Sequence, residues 1–68
     1  MKKVCIVTGG SSGIGLSIVK LFLTKQYQVF NLDISPSTYG EFCQCDITKV
    51  SEVSQIINTI AKQGPIDV

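Results

Sequence analysis

The stretch VTGGSSGIGLSIV, residues 7–19, sets four glycines, Gly9, Gly10, Gly13 and Gly15, between a short apolar run and a segment with helical spacing. Residues 3–7 ahead of it are β-branched and apolar on both faces, the pattern of a central parallel strand. From Gly13 to about Lys25 the apolar residues Ile14, Ile18, Leu21 and Phe22 recur at helical spacing, which predicts that they face the core while Lys20, Thr24 and Lys25 face water. The glycines therefore stand where a strand gives way to a helix. A helix N-terminus offers backbone N–H groups without internal partners and a partial positive charge, and an anion satisfies both. Glycines in the preceding turn allow positive φ and remove the Cβ atoms that would hold a pyrophosphate away. The plainer reading of the same glycines is a tight turn and nothing more.

Working outward, residues 28–34, QVFNLDI, read as a second strand, and Ser35-Pro36-Ser37 is turn chemistry. Residues 42–46, FCQCD, read as a third. Thr48 is a candidate N-cap for a helix carrying Val53, Ile56, Ile57, Ile60 and Ala61 on one face. Gly64-Pro65 stops that helix, and Ile66-Asp67-Val68 looks like the opening of a fourth strand. The order β-α-β-β-α-(β) predicts one α/β domain over residues 1–68, a Rossmann-like parallel sheet that begins a three-layer α/β/α fold and is truncated. There is no internal repeat and no low-complexity segment.

Composition narrows the function. Hydrophobic residues at 44% against 16% charged exclude a disordered charge-rich tail. A net charge of +1 supplies neither the basic stripe of a nucleic-acid binder nor a field for an anionic membrane. Lys2 and Lys3 before a short apolar run resemble a signal peptide only superficially, and no run reaches transmembrane length, so the expected setting is the cytoplasm. Three cysteines without a C-x-x-C pair, and no histidine, argue against a metal site. Cys43 and Cys45, two apart on a strand, are expected to share a face, and all three thiols to be buried and inert.

The glycine spacing excludes other phosphate binders. A P-loop needs Lys after Gly15, where this chain has Leu16, and a G-x-G-x-x-G fingerprint started at Gly13 meets Ile18 in its third position. Asp33, 18 positions after Gly15, ends the second strand where a ribose hydroxyl pair would lie. What does match is T-G-x-x-x-G-x-G, spelled Thr8-Gly9-Gly10-Ser11-Ser12-Gly13-Ile14-Gly15, which resembles the cofactor turn of the short-chain dehydrogenase/reductase family. The extended, epimerase-like branch would need Gly where Ser12 stands. The resemblance continues in Asp33-Ile34, matching the acid that holds the adenosine ribose in NAD-preferring members, and in Asp46-Ile47, matching a pair that contacts adenine. It implies an oxidoreductase with an alcohol or carbonyl substrate and a dinucleotide cofactor, NAD rather than NADP, because Asp33 repels a 2′-phosphate and neither Ser12 nor Ile34 is basic. The bland alternative for Asp46 is a helix-capping carboxylate ahead of Thr48.

The family's Ser and Tyr-x-x-x-Lys, to which hydride transfer is attributed, have no counterparts here: four residues after Tyr27 comes Asn31, and four after Tyr39 comes Cys43. No catalytic residue is assigned, and the resemblance covers only the cofactor-binding start of a longer fold. Tyr27 is expected at the rim, at the end of the first helix. A second departure lies at residues 35–40, where the family usually carries a helix and this chain leaves room for a bare loop or a single turn. Ending at Val68 is expected to leave the first strand's outer edge largely uncovered and the chain poorly stable or self-associating. A non-catalytic nucleotide-binding module or a decayed gene product remains the alternative function, with a methyltransferase-like adenosine site behind it.

Overall fold

The computed structural model describes residues 2–68, with five elements in the order β1 (Val4–Thr8), α1 (Gly13–Thr24), β2 (Gln28–Asp33), β3 (Glu41–Gln44) and α2 (Val50–Ala61). The three strands form one parallel sheet in the order β1-β2-β3, with Val4 beside Gln28, Thr8 beside Leu32, and Asp33 beside Gln44. This is the Rossmann-like α/β architecture expected from the alternation of elements. Each strand sits within a residue or two of its expected span. β1 runs one residue further than expected, to Thr8, and β2 stops at Asp33, because Ser35 N–H turns back onto the Asp33 side chain (Ser35 N to Oδ1, 3.2 Å). β3 covers residues 41–44 rather than 42–46, since only Phe30 to Asp33 supply partners for it.

The core divides by strand alternation. Val4, Phe30, Leu32, Cys45 and Ile60 are buried on one face, with Ile6, Cys43, Val53, Ile56 and Ile66 packed against them. Cys5, Val7, Val19 and Val29 are buried on the other, joined by Phe22, Leu23 and Tyr27. Cys43 and Cys45 share a face as expected, though Cys43 is only half-buried. Tyr27 closes the end of α1 by an edge-to-face contact with Phe22, the ring centroids 4.9 Å apart.

α1 presents a different face from the one its apolar spacing predicts, and α2 keeps most of the expected one. On α1 the buried residue is Val19, with Phe22 and Leu23 packed beside it, while Ile14 is 82% exposed and Ile18 and Leu21 are also exposed. The cause is Gly15: a Cβ there would overlap the carbonyl of Gly9, so the helix seats its glycine side against the turn and rotates residues 15, 19 and 22 inward. On α2, Val53, Ile56 and Ile60 face the sheet, but Ile57 and Ala61 face water. The N-cap of α2 is Lys49 rather than Thr48, whose hydroxyl instead donates to Asp46 Oδ1 at 2.6 Å.

The crossover from β2 to β3, residues 34–40, contains no helix, as its length requires. The outer edge of β1 is better covered than expected. Residues 66–68 are not a strand, yet Ile6 N–H donates to the Val68 carbonyl (2.9 Å), Asp67 N–H to the Val4 carbonyl (2.9 Å), and Val4 N–H to Asp67 Oδ2 (2.8 Å).

Candidate functional site

A cleft of about 250 Å³ opens beyond the carboxyl ends of the strands, lined by Gly9, Leu32, Asp33, Ile34, Cys45, Asp46, Ile47 and Thr48. Those residues follow β1, end β2 and follow β3, so the parallel topology alone gathers them at one rim. Open α/β sheets bind ligands in this crevice. Larger clefts lie elsewhere, one of about 380 Å³ around Lys2, Lys3 and Gln63 at the amino ends and one of about 430 Å³ between Leu16 and Tyr39, but neither gathers the glycines and carboxylates.

The turn from β1 into α1 is held by its backbone. Gly9 N–H donates to the Leu32 carbonyl (2.9 Å), Gly10 N–H to Asn31 Oδ1 (2.9 Å), and Ser11 N–H to Asp33 Oδ2 (3.1 Å). Gly9 (φ +68°) and Gly13 (φ +57°) are left-handed, and no heavy atom lies within 4 Å of where either Cβ would stand. The space over the turn is therefore open at the two positions whose backbone most favours glycine. Ser12, the N-cap of α1, makes no side-chain capping bond, and α1 has no acidic residue in its first turn. The amino end of α1 is thus uncompensated by the protein's own groups, which leaves its N–H groups and positive dipole end available to an anion.

Asp33 sits at the rim with one donor on each oxygen, Ser35 N–H on Oδ1 and Ser11 N–H on Oδ2. These hydrogen bonds, from Ser35 first and then Ser11, hold its carboxyl below the usual carboxylate range, so it is an anion at neutral pH with lone pairs left to accept further donors. Asp46 is likewise held low, by the Thr48 hydroxyl and then the Thr48 N–H. Its carboxylate shapes the turn into α2 and does not cap the helix directly. Ile34 and Ile47 stand exposed beside the two acids, an apolar pair at the mouth of the cleft. Burial pushes the Cys5 and Cys45 thiols up, Cys45 further opposed by Glu52 and Asp46, so neither is a ready nucleophile. Among the described residues no three His, Cys, Asp or Glu side chains gather as a metal site.

The sequence residues thus divide. Gly9, Asp33, Ile34, Asp46 and Ile47 line one cleft, and Ser11 is tied into it through Asp33. Thr8 ends β1, while Ser12, Gly13, Ile14 and Gly15 form the start of α1 beside it. Asn31 was missed. It is fully buried and bonds both Gly10 and Ser11, and its signal was a lone carboxamide inside the otherwise apolar run of a strand buried on both faces.

The fold defines a Rossmann-like α/β protein. A profile of the family described as short chain dehydrogenase matches residues 3–68, and the chain belongs to that family. It is 37% identical to (+)-borneol dehydrogenase 2 of Salvia officinalis over 97% of this chain and 28% of that protein. It is 33% identical to a 3-oxoacyl-[acyl-carrier-protein] reductase of Mus musculus over 98% of this chain and 33% of that one. Among solved structures it resembles the ligand-free aldohexose dehydrogenase of Thermoplasma acidophilum (TM-score 0.83, 35% identity, 91% of this chain and 25% of that one). It also resembles a short-chain dehydrogenase of Leptospira borgpetersenii with bound NAD+ (TM-score 0.81, 29% identity, 93% and 27%). The chain spans a third or less of the length of these relatives. No helix is long and apolar enough to cross a membrane, among the described residues.

Proposed function

We propose that these residues are the NAD-binding segment of a short-chain oxidoreductase acting on an alcohol or carbonyl substrate. The observation that carries the reading is the pairing of an uncapped, acid-free helix end with an oriented carboxylate across one rim, at Gly9 and Asp33. The open space over Gly9 and Gly13 fits a pyrophosphate, and the ionised Asp33 fits a ribose diol, accepting two hydroxyl donors on its remaining lone pairs. Ile34 and Ile47 would flank the adenine, with Asp46 at its edge. Held by these residues, the cofactor would supply a hydride acceptor for alcohol oxidation or a hydride donor for carbonyl reduction, with the accompanying proton handled by groups that are not assigned to these residues.

This chain's residues bind and orient. The turn N–H groups and the α1 dipole hold the phosphates, Asp33 fixes the ribose, and the apolar rim keeps water from the adenine faces. No Tyr-x-x-x-Lys occurs in the 68 residues, so we assign no proton transfer to them. Preference for NAD follows from charge: a 2′-phosphate would face the Asp33 anion with no cationic side chain lining the cleft. Free thiols at Cys5, Cys43 and Cys45 agree with a reducing, cytoplasmic setting. The exposed Ile14, Ile18 and Leu21 favour association with further protein, either more of the fold or a second copy.

Titration of the protein with NADH and with NADPH, followed by cofactor fluorescence, tests the reading. Tighter binding of NADH is expected. Equal or tighter binding of NADPH would overturn the NAD assignment, and binding of neither would overturn the cofactor assignment itself.

A further inference from the structure

Among the described residues Asn31 is the buried polar one, fully enclosed in a strand where every neighbour in sequence from Val29 to Leu32 is apolar. Strand alternation sets it on the face of Val29, toward α1, opposite Phe30 and Leu32. An aliphatic side chain would fill that space and add hydrophobic stabilisation, whereas a carboxamide must be matched by partners to avoid a penalty. Here it is matched on both sides. Oδ1 accepts the Gly10 N–H at 2.9 Å, and Nδ2 donates to Ser11 Oγ at 3.1 Å.

The fit is mutual. A Cβ on Gly10 would stand 2.5 Å from Asn31 Oδ1 and 2.7 Å from Val19 Cγ2, so the absence of a side chain at Gly10 is what admits the carboxamide. Ser11 then carries the linkage outward: its N–H donates to Asp33 Oδ2 at 3.1 Å and its hydroxyl to the Ser35 carbonyl at 2.5 Å, while Ser35 N–H holds Asp33 Oδ1. A continuous chain of hydrogen bonds runs from the interior of β2, through the glycine turn, to the rim carboxylate.

We propose that Asn31 is a positioning residue for cofactor selectivity: its carboxamide holds the Gly9–Gly10 peptide by the Gly10 N–H and the Ser11 side chain by its hydroxyl, so that the Ser11 amide clamps Asp33 and fixes the carboxylate that distinguishes NAD from NADP. This rests on the proposed cofactor reading. Asn31 touches no cofactor atom itself. It acts through Ser11, and its effect reaches the ribose end of the site and not only the turn.

The test uses the whole protein with Asn31→Leu, which keeps the number and branching of side-chain heavy atoms and removes both hydrogen-bonding groups. Three quantities are read: the NADH and NADPH dissociation constants, the thermal midpoint, and the hydrogen-exchange protection of the Gly10 and Ser11 amides without cofactor. Asn31→Leu should strip protection from Gly10 and weaken NADH by about tenfold. NADPH should weaken less, so that the NADH-to-NADPH preference falls several-fold. In an Asp33→Ala background the same substitution should no longer change that preference. A purely packing role would lower the thermal midpoint and leave the preference intact, and that result overturns the proposal. If Asn31→Leu does not fold, Ser11→Ala, which removes the hydroxyl between Asn31 and Ser35, should lower the preference in the same direction by a smaller factor, and an unchanged preference overturns the proposal equally. Wild-type protein that binds neither cofactor while protecting Gly10 would fail the cofactor reading and this proposal with it. Selective wild type with an equally selective Asn31→Leu variant fails this proposal alone.

Discussion

The two helices are of equal length, twelve residues each, and their amino ends are finished in opposite ways. At α2 the chain supplies its own negative charge: Glu52 lies in the first turn, 3.7 Å from Lys49 Nζ, and Asp46 stands just ahead, accepting both the N–H and the hydroxyl of Thr48. At α1 there is no acid in the first turn, and the residues leading in are glycines and small serines; neither helix has a side-chain cap. A helix dipole costs little where a carboxylate answers it and invites an external anion where none does. α2 thus answers its own dipole, whereas in the proposed reading α1 leaves its amino end to a ligand, at the rim that also carries Asp33.

The largest effect on this contrast is expected at Gly15. Gly15→Ala drives a Cβ into the Gly9 carbonyl and should cost about 3 kcal/mol in a denaturant titration, with loss of cofactor binding, because α1 can no longer seat on the turn. Next is Ile14→Glu, which gives α1 the first-turn carboxylate that α2 already has. Ile14 is 82% exposed, so no core is lost. The variant should keep or raise its thermal midpoint and bind NADH about tenfold more weakly. A variant that binds unchanged would break the contrast.

Asp33→Asn separates the two acids of the cleft. It should lower the NADH-to-NADPH preference by several-fold, whereas Asp46→Asn should lower the thermal midpoint by a few degrees and leave that preference nearly unchanged, since the Thr48 bonds it weakens by removing the charge belong to the turn before α2. Both carboxyls are held low in the folded state, Asp33 by Ser35 and Ser11, Asp46 by Thr48. Their contribution to stability is therefore complete above the unfolded-state value of about 3.9 and is lost as pH falls through the lower folded-state values. Acid unfolding should show the stability gap between wild type and Asp33→Asn steady above about pH 5 and closing toward pH 2. The smallest effect is at Glu52→Gln, which removes the first-turn acid of α2 and should cost about 0.5 kcal/mol, less at high salt.

Much of this is legible in the sequence. The strand-turn-helix junction, the helix-free crossover and the convergence of Gly9, Asp33 and Asp46 follow from glycine spacing, chain length and parallel topology, which are local or nearly so. The inward face of α1 was not. Counting apolar residues selects Ile14, Ile18 and Leu21, but the contact of Gly15 with the Gly9 carbonyl sets the rotation and turns Val19 inward, and that is a tertiary contact between two residues without side chains. Asn31 was only partly legible: a lone carboxamide in an apolar strand is a signal, but its partners are backbone and hydroxyl groups some twenty residues earlier, so its role could not be read locally. The coverage of β1 by residues 66–68 similarly depends on Asp67 reaching back to Val4 N–H across the whole chain.

The most direct measurement is an NMR titration with NAD, following the backbone amides of residues 9–15 at the start of α1 and residues 50–52 at the start of α2. Large shifts are expected at Gly9, Gly13 and their neighbours, with Asp33 moving alongside and residues 50–52 nearly still. Shifts centred on residues 50–52, or none at the glycine turn at saturating NAD, would contradict it.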